Sequence, residues 1–105
     1  MDKDTFNKID LTLVPPTIEV EIAKVREYGV KKYKNKSSWV NVPINQYFGA
    51  LLRHIHAMKD CGVYSYDPES QLMHISHAAC NIAFLIELNN YGNLSTLYHR
   101  GAMYL

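Results

Sequence analysis

The chain holds 105 residues, of which 48% are hydrophobic and only 20% charged, with a formal net charge of +1. That length suits one compact domain and excludes two, folding from roughly 17,500 Å² of extended surface to roughly 6,000 Å². The composition excludes disorder throughout, and five glycines with four prolines exclude collagen-like or linker-like sequence. Nothing in the near-zero total charge demands nucleic acid, which is not the partner expected. No apolar run reaches the eighteen residues of a membrane span and no signal-peptide pattern opens the chain, so a soluble cytoplasmic protein is expected. Cys61 and Cys80 form no short metal motif and are expected to remain thiols.

Residues 1–14 are expected to form an N-terminal arm, extended over the apolar stretch 11–14, which carries the one strand-like signal in the sequence. Pro15 and Pro16 stop any helix from running through, and Thr17 is placed to cap the next one. Apolar residues at 18, 22, 25 and 28 then give a helical spacing that ends at Gly29 or continues to Tyr33. If it continues, Gly29 sits mid-helix, where it costs about 1 kcal/mol and implies a close helix approach.

Residues 34–44 form a loop around Trp39. A second helix runs from Ile44 or Asn45 to about Lys59, with Tyr47, Leu51, Ile55 and Met58 on one side and Gly62 as its breaker. A turn-rich loop over 61–71 carries Asp67-Pro68, a pair suited to a helix cap and a first-turn proline. The third helix, Leu72 to Leu88, is apolar over more than one face, which places it centrally in its domain or in an oligomer. Residues 91–105 lack acidic side chains and are expected to form a docking tail. The result is a single all-α domain, a compact bundle of three main helices completed by oligomerisation.

Three features bear on chemistry. His74, His77 and Asn81 form one polar stripe on the apolar third helix, and buried without partners such groups cost a few kcal/mol. Arg53 and His54 lie together on the second helix; the guanidinium fork fits phosphate oxygens, unless Glu87 or Asp60 pairs it on the surface. Glu21, Asp67 and Glu69 are carboxylates suited to a hard cation such as Mg²⁺, and a cluster of Glu21 with either of the others would make a cation site. Six of the eleven basic residues fall between Lys24 and Lys36, a patch suited to phosphates or simply to solvent. Phosphate-loop, dinucleotide, nucleophile-elbow and zinc-protease motifs are all missing, which weighs against covalent serine or cysteine hydrolysis.

Several ordered blocks carry a resemblance: Leu13-Val14-Pro15-Pro16, Tyr28-Gly29-Val30-Lys31-Lys32-Tyr33, Ala50-Leu51-Leu52-Arg53-His54, Asp67-Pro68-Glu69-Ser70 and His74-Ile75-Ser76-His77-Ala78-Ala79-Cys80-Asn81. Over residues 10–90 the chain resembles the dATP/dGTP diphosphohydrolases of phages and bacteria, relatives of the MazG-like all-α pyrophosphohydrolases. The resemblance implies hydrolysis of a purine deoxynucleoside triphosphate to the monophosphate and pyrophosphate with Mg²⁺ or Mn²⁺. It places Glu21, Asp67 and Glu69 at the cation or the attacking water, Lys32 and Arg53 at the phosphates, and Trp39 or Tyr47 against the base. His54, His74 and His77 would assist proton transfer or hold a carboxylate, and Asn81 matches a recurring polar position. The chain departs from the pattern at three places. Glu21 is followed by Lys24 instead of a Glu-Glu-x-x-Glu set, and Lys34 and Gln71 stand where the family places glycine. A non-catalytic nucleotide-binding or assembly protein is the alternative reading.

Overall fold

The structure, a computed structural model, describes residues 8–91. Three α-helices carry this part of the chain: α1 (Pro16–Tyr33), α2 (Ile44–Cys61) and α3 (His74–Asn90). The all-α class is as expected. Residues 1–7 of the expected arm and the expected tail beyond Tyr91 lie outside the described residues. The described part of the arm is not extended throughout: Leu11–Leu13 form a 3₁₀ turn because the Asp10 carboxylate accepts the Thr12 N–H at 3.0 Å. None of the described helices is long and apolar enough to cross a membrane.

Helix α1 begins earlier than its apolar spacing predicts. Pro15 is the extended N-cap and Pro16 takes the first turn, where a missing N–H leaves nothing unsatisfied. Thr17 therefore lies inside the helix and caps nothing. Gly29 does not end α1. The helix runs to Tyr33 and closes on Lys34, which adopts a left-handed conformation with φ 55° and donates its N–H to the Val30 carbonyl at 2.7 Å. A side chain added at Gly29 would meet nothing within 4 Å, so the expected close helix approach is absent among the described residues.

Helix α2 follows its predicted pattern at Tyr47 and Leu51, which are buried, while Ile55 is left exposed. Gly62 ends it with φ 119° and ψ 147°, a conformation essentially reserved for glycine. Helix α3 begins at His74, not Leu72, because the preceding segment pinches closed. Asp67 donates its N–H to the Leu72 carbonyl at 2.7 Å, Tyr66 and Met73 form an antiparallel bridge, and His74 donates to the Ser65 carbonyl at 3.0 Å. Gln71 turns the chain with φ 63°. Asp67-Pro68 consequently caps no helix; the Asp67 carboxylate accepts the Ser70 N–H at 3.0 Å and builds a tight turn instead.

Helix α3 packs against both α1 and α2, which scarcely touch one another. The central position predicted for it is therefore real, and buried residues come mostly from it: His74, Ser76, Ala78, Cys80 and Leu88. Burying Leu88 alone contributes about 1.5–3 kcal/mol. Phe48, Leu52 and Ile55 along α2, and Ile82 and Ile86 on α3, keep large exposed surfaces.

Lys34 and Gln71 are the non-glycine residues with positive φ among those described, and they occupy the two positions where glycine is the expected residue. Left-handed backbone costs an L side chain roughly 1–2 kcal/mol, partly offset by the roughly 0.5–1 kcal/mol of freedom that glycine loses on folding. Lys34→Gly should stabilise the protein by about 0.5–1 kcal/mol, raising the melting temperature by a few degrees. Lys34→Ala removes the same side chain without relieving the backbone. An equal rise in both variants would show that strain is not the cause.

Candidate active site

Between α1, the Ser38–Asn41 3₁₀ turn, α2, the Asp67–Glu69 turn and α3 lies a cavity of about 1020 Å³. Of the eleven residues singled out in the sequence, nine line it: Lys32, Trp39, Tyr47, Arg53, His54, Asp67, Glu69, His77 and Asn81. Positions far apart in the chain meet here because α1 and α2 both pack on α3 and scarcely on each other, which leaves His77 and Asn81 open between them.

At one end stand the histidines. His54 Nδ1 and His74 Nδ1 are 2.9 Å apart, so one donates and the other accepts. The His54 ring stacks on that of His77, with centroids 4.6 Å apart and planes 6° from parallel. Burial, then the neighbouring charges of His77 and His74, push the His54 imidazole down to about 4, leaving it neutral at pH 7. Burial also lowers His77, against the pull of Asp67. His74 does not line the cavity; it braces His54 from behind.

Asp67 Oδ2 accepts both the N–H and the hydroxyl of Ser70, at 3.0 and 2.8 Å, and lies 3.7 Å from His77 Nε2. Burial pushes its carboxyl up, but the Ser70 hydrogen bonds and the histidines outweigh this and hold it below the usual range. Glu69 is drawn down by Lys32, 2.7 Å away, and by the Tyr28 hydroxyl. Lys32 is raised by its hydrogen bond to Glu69 and then by Tyr33, and its ammonium lies 5.5 Å from the centre of the Tyr33 ring and 5.9 Å from that of Tyr28.

The opposite end is aromatic. Trp39 stacks on Phe84 at 4.7 Å, Tyr47 packs against the same ring at 4.9 Å, and the Arg26 guanidinium sits 5.2 Å from its centre. Tyr47 donates its hydroxyl to the Trp39 carbonyl at 2.6 Å, and burial pushes this phenol up to about 12. Tyr47 thus holds the 3₁₀ turn, while Phe84 already occupies one face of Trp39. Arg53 makes no ion pair with Glu87 or Asp60; it lies on the cavity wall with Nη1 3.5 Å from where a Gly49 side chain would begin. Of the basic run 24–36, Arg26 and Lys32 face the cavity. Cys80 also lines it as a protonated thiol, raised by burial to about 11.

Glu21 stands apart. The expected cluster of Glu21 with Asp67 or Glu69 is not formed, and among the described residues no three His, Cys, Asp or Glu side chains gather in a metal-binding group. Glu21 instead binds Lys24 Nζ at 2.8 Å and accepts the buried Ser76 hydroxyl at 2.6 Å, both of which lower its carboxyl. Sequence reasoning singled out neither Ser70 nor Ser76 as a functional residue, and it missed Tyr28 and Phe84 too; Arg26 it placed only in the basic patch. Serines carry no periodic signal, and a phenylalanine on an apolar helix looks like any other core residue.

The dATP/dGTP diphosphohydrolase N-terminal family matches residues 1–96, and the chain belongs to it. A curated relative, the "dATP/dGTP diphosphohydrolase" of Salmonella phage PMBT28, is 30% identical over 83 residues, covering 79% of this chain and 28% of the relative. The chain therefore spans well under a third of that relative's length. No solved structure matches it.

If Glu21 serves as a strut between α1 and α3, its energy is shared with Ser76. Ser76→Ala and Glu21→Ala should each cost about 1.5–3 kcal/mol, as for a hydrogen bond to a charged group. The double variant should cost little more than either alone, read from urea unfolding. Additive losses would show that the two side chains do not act as a unit.

Proposed function

We propose that this domain hydrolyses a purine deoxynucleoside triphosphate, dATP or dGTP, to the monophosphate and pyrophosphate. One observation carries the reading beyond family membership: a single cavity brings three cations, Arg26, Lys32 and Arg53, beside two carboxylates, Asp67 and Glu69, with histidines at hand. Excess positive charge suits a polyphosphate, and the aromatic end around Trp39 suits a base.

The donor set fits a hard divalent cation held partly by substrate, since Mg²⁺ uses one or two carboxylates together with phosphate oxygens. Asp67 and Glu69 would hold Mg²⁺ or Mn²⁺, with Glu21 left to its structural tie. When bound, such an ion offsets charge developing on the phosphoryl oxygens and lowers the pKa of a coordinated water. Arg53 and Lys32 bind and orient the phosphates. The Lys32–Glu69 pair has side chains 41% and 63% exposed, and exposed pairs are worth little, so Lys32 could turn to phosphate and Glu69 to a cation at small cost. His77, neutral and ringed by polar groups, accepts a proton from the attacking water.

Purified protein with Mg²⁺ or Mn²⁺ should convert dATP or dGTP to the monophosphate and pyrophosphate, resolved by anion-exchange chromatography. Arg53→Ala and Asp67→Asn should each lower kcat/KM about 10²-fold. Binding of nucleotide without product, with either metal, would defeat the hydrolase reading and favour a nucleotide-binding module.

The exposed apolar residues on α2 and α3 support a homodimer or homotetramer, because one chain leaves them facing water. Light scattering should give at least about twice the 12.1 kDa chain mass at micromolar concentration. A monodisperse monomer would refute this.

A further inference from the structure

We propose that Ser70 is a positioning residue, which fixes His77 as the Nε2–H tautomer and leaves Nδ1 as its basic atom. The role in turnover rests on the hydrolase reading above; the tautomer does not. Three groups converge on the Ser70 hydroxyl oxygen: Asp67 Oδ2 at 2.8 Å, His77 Nε2 at 2.7 Å and the Leu72 N–H at 3.2 Å. A hydroxyl has one hydrogen to give and two lone pairs to receive. The Leu72 N–H can only donate, so it takes one lone pair. The Asp67 carboxylate can only accept, so it takes the hydrogen. One lone pair remains for His77, whose Nε2 must therefore carry a proton and donate it.

The opposite arrangement, with the hydroxyl donating to a bare Nε2, would set two unprotonated oxygens 2.8 Å apart at Asp67 and Ser70. It would also leave the partly buried carboxylate one hydrogen bond short. The chain of donation thus runs from His77 Nε2–H to Ser70 Oγ–H to Asp67 Oδ2. Among the described residues the His77 ring makes no other hydrogen bond, and its lone pair in the neutral form lies on Nδ1. Stacking on His54 at 4.6 Å, and an edge contact with Tyr28 at 6.2 Å, hold the ring in place.

In the hydrolysis this supplies a balanced proton path. The attacking water gives a proton to Nδ1 as its oxygen bonds to phosphorus; the bond from phosphorus to the leaving group breaks, the products depart as anions, and Nδ1 then releases its proton to solvent. While the proton is on Nδ1, the Nε2–H keeps its hydrogen bond to Ser70 Oγ, so the ring does not turn.

Long-range ¹H–¹⁵N spectra of histidine-labelled protein at neutral pH, with His77 assigned through His77→Gln, read the tautomer directly. The expected result is a protonated Nε2 and a bare Nδ1 in the unaltered chain. A protonated Nδ1 there would overturn the proposal without any variant. Ser70→Ala should release His77 into a mixture of tautomers and lower kcat about tenfold or more with little change in KM. Ser70→Thr, which keeps the hydroxyl, should restore both. An unchanged His77 spectrum in Ser70→Ala would also overturn the proposal. Absence of turnover in the unaltered chain would remove the hydrolase reading, while the tautomer measurement would still decide the role of Ser70.

Discussion

The need to satisfy polar side chains on an apolar central helix organises this protein. His74, Ser76 and His77 are buried or nearly so on α3, and each recruits a different part of the chain. His74 meets His54 of α2, Ser76 meets Glu21 of α1, and His77 meets Ser70 of the turn before α3. A buried polar group without a partner costs on the order of 1–3 kcal/mol, so each of these ties sets a position as well as adding stability. Apolar contact along α3 would tolerate many rotations of α1 and α2. The polar contacts select one.

That selection creates the site. With α1 and α2 each anchored to α3 and scarcely to each other, the groove between them stays open over His77 and Asn81. The pinch at Asp67–Leu72 then closes one end and carries Asp67 and Glu69 to the wall. Its charges are held loosely at Lys32–Glu69, which is exposed, and tightly at Asp67–Ser70–His77, which is shielded. The exposed pair suits groups that must exchange partners when a charged ligand arrives. The shielded one suits groups that must hold their orientation.

The two left-handed residues show how the chain tolerates departures from a family pattern. Lys34 and Gln71 keep the backbone course that glycine would take, at the end of α1 and in the pinch before α3. The strain at each is local. Lys24 has a different consequence. In this chain Lys24 pairs with Glu21 and turns that carboxylate into part of the α1–α3 tie, away from the cavity.

Periodicity alone determined the three helices, the central place of α3 and the polar stripe along it, because apolar spacing and the breaker Gly62 act locally. Residue type singled out nine of the cavity's lining residues, since Arg, Lys, His and acidic side chains have few reasons to sit among apolar neighbours. The tertiary structure alone decided which carboxylates share a wall. Glu21 and Asp67 look equivalent along the chain, but Ser76 lies on the side of α3 that meets α1, and its buried hydroxyl draws Glu21 away from the cavity. The start of α3 was hidden for a similar reason: Leu72 fits the helical spacing, yet its carbonyl is taken by Asp67 across the turn. Hydrogen bonds between separate elements leave no periodic trace, so the ties made by Ser70 and Ser76 became visible only in the folded chain.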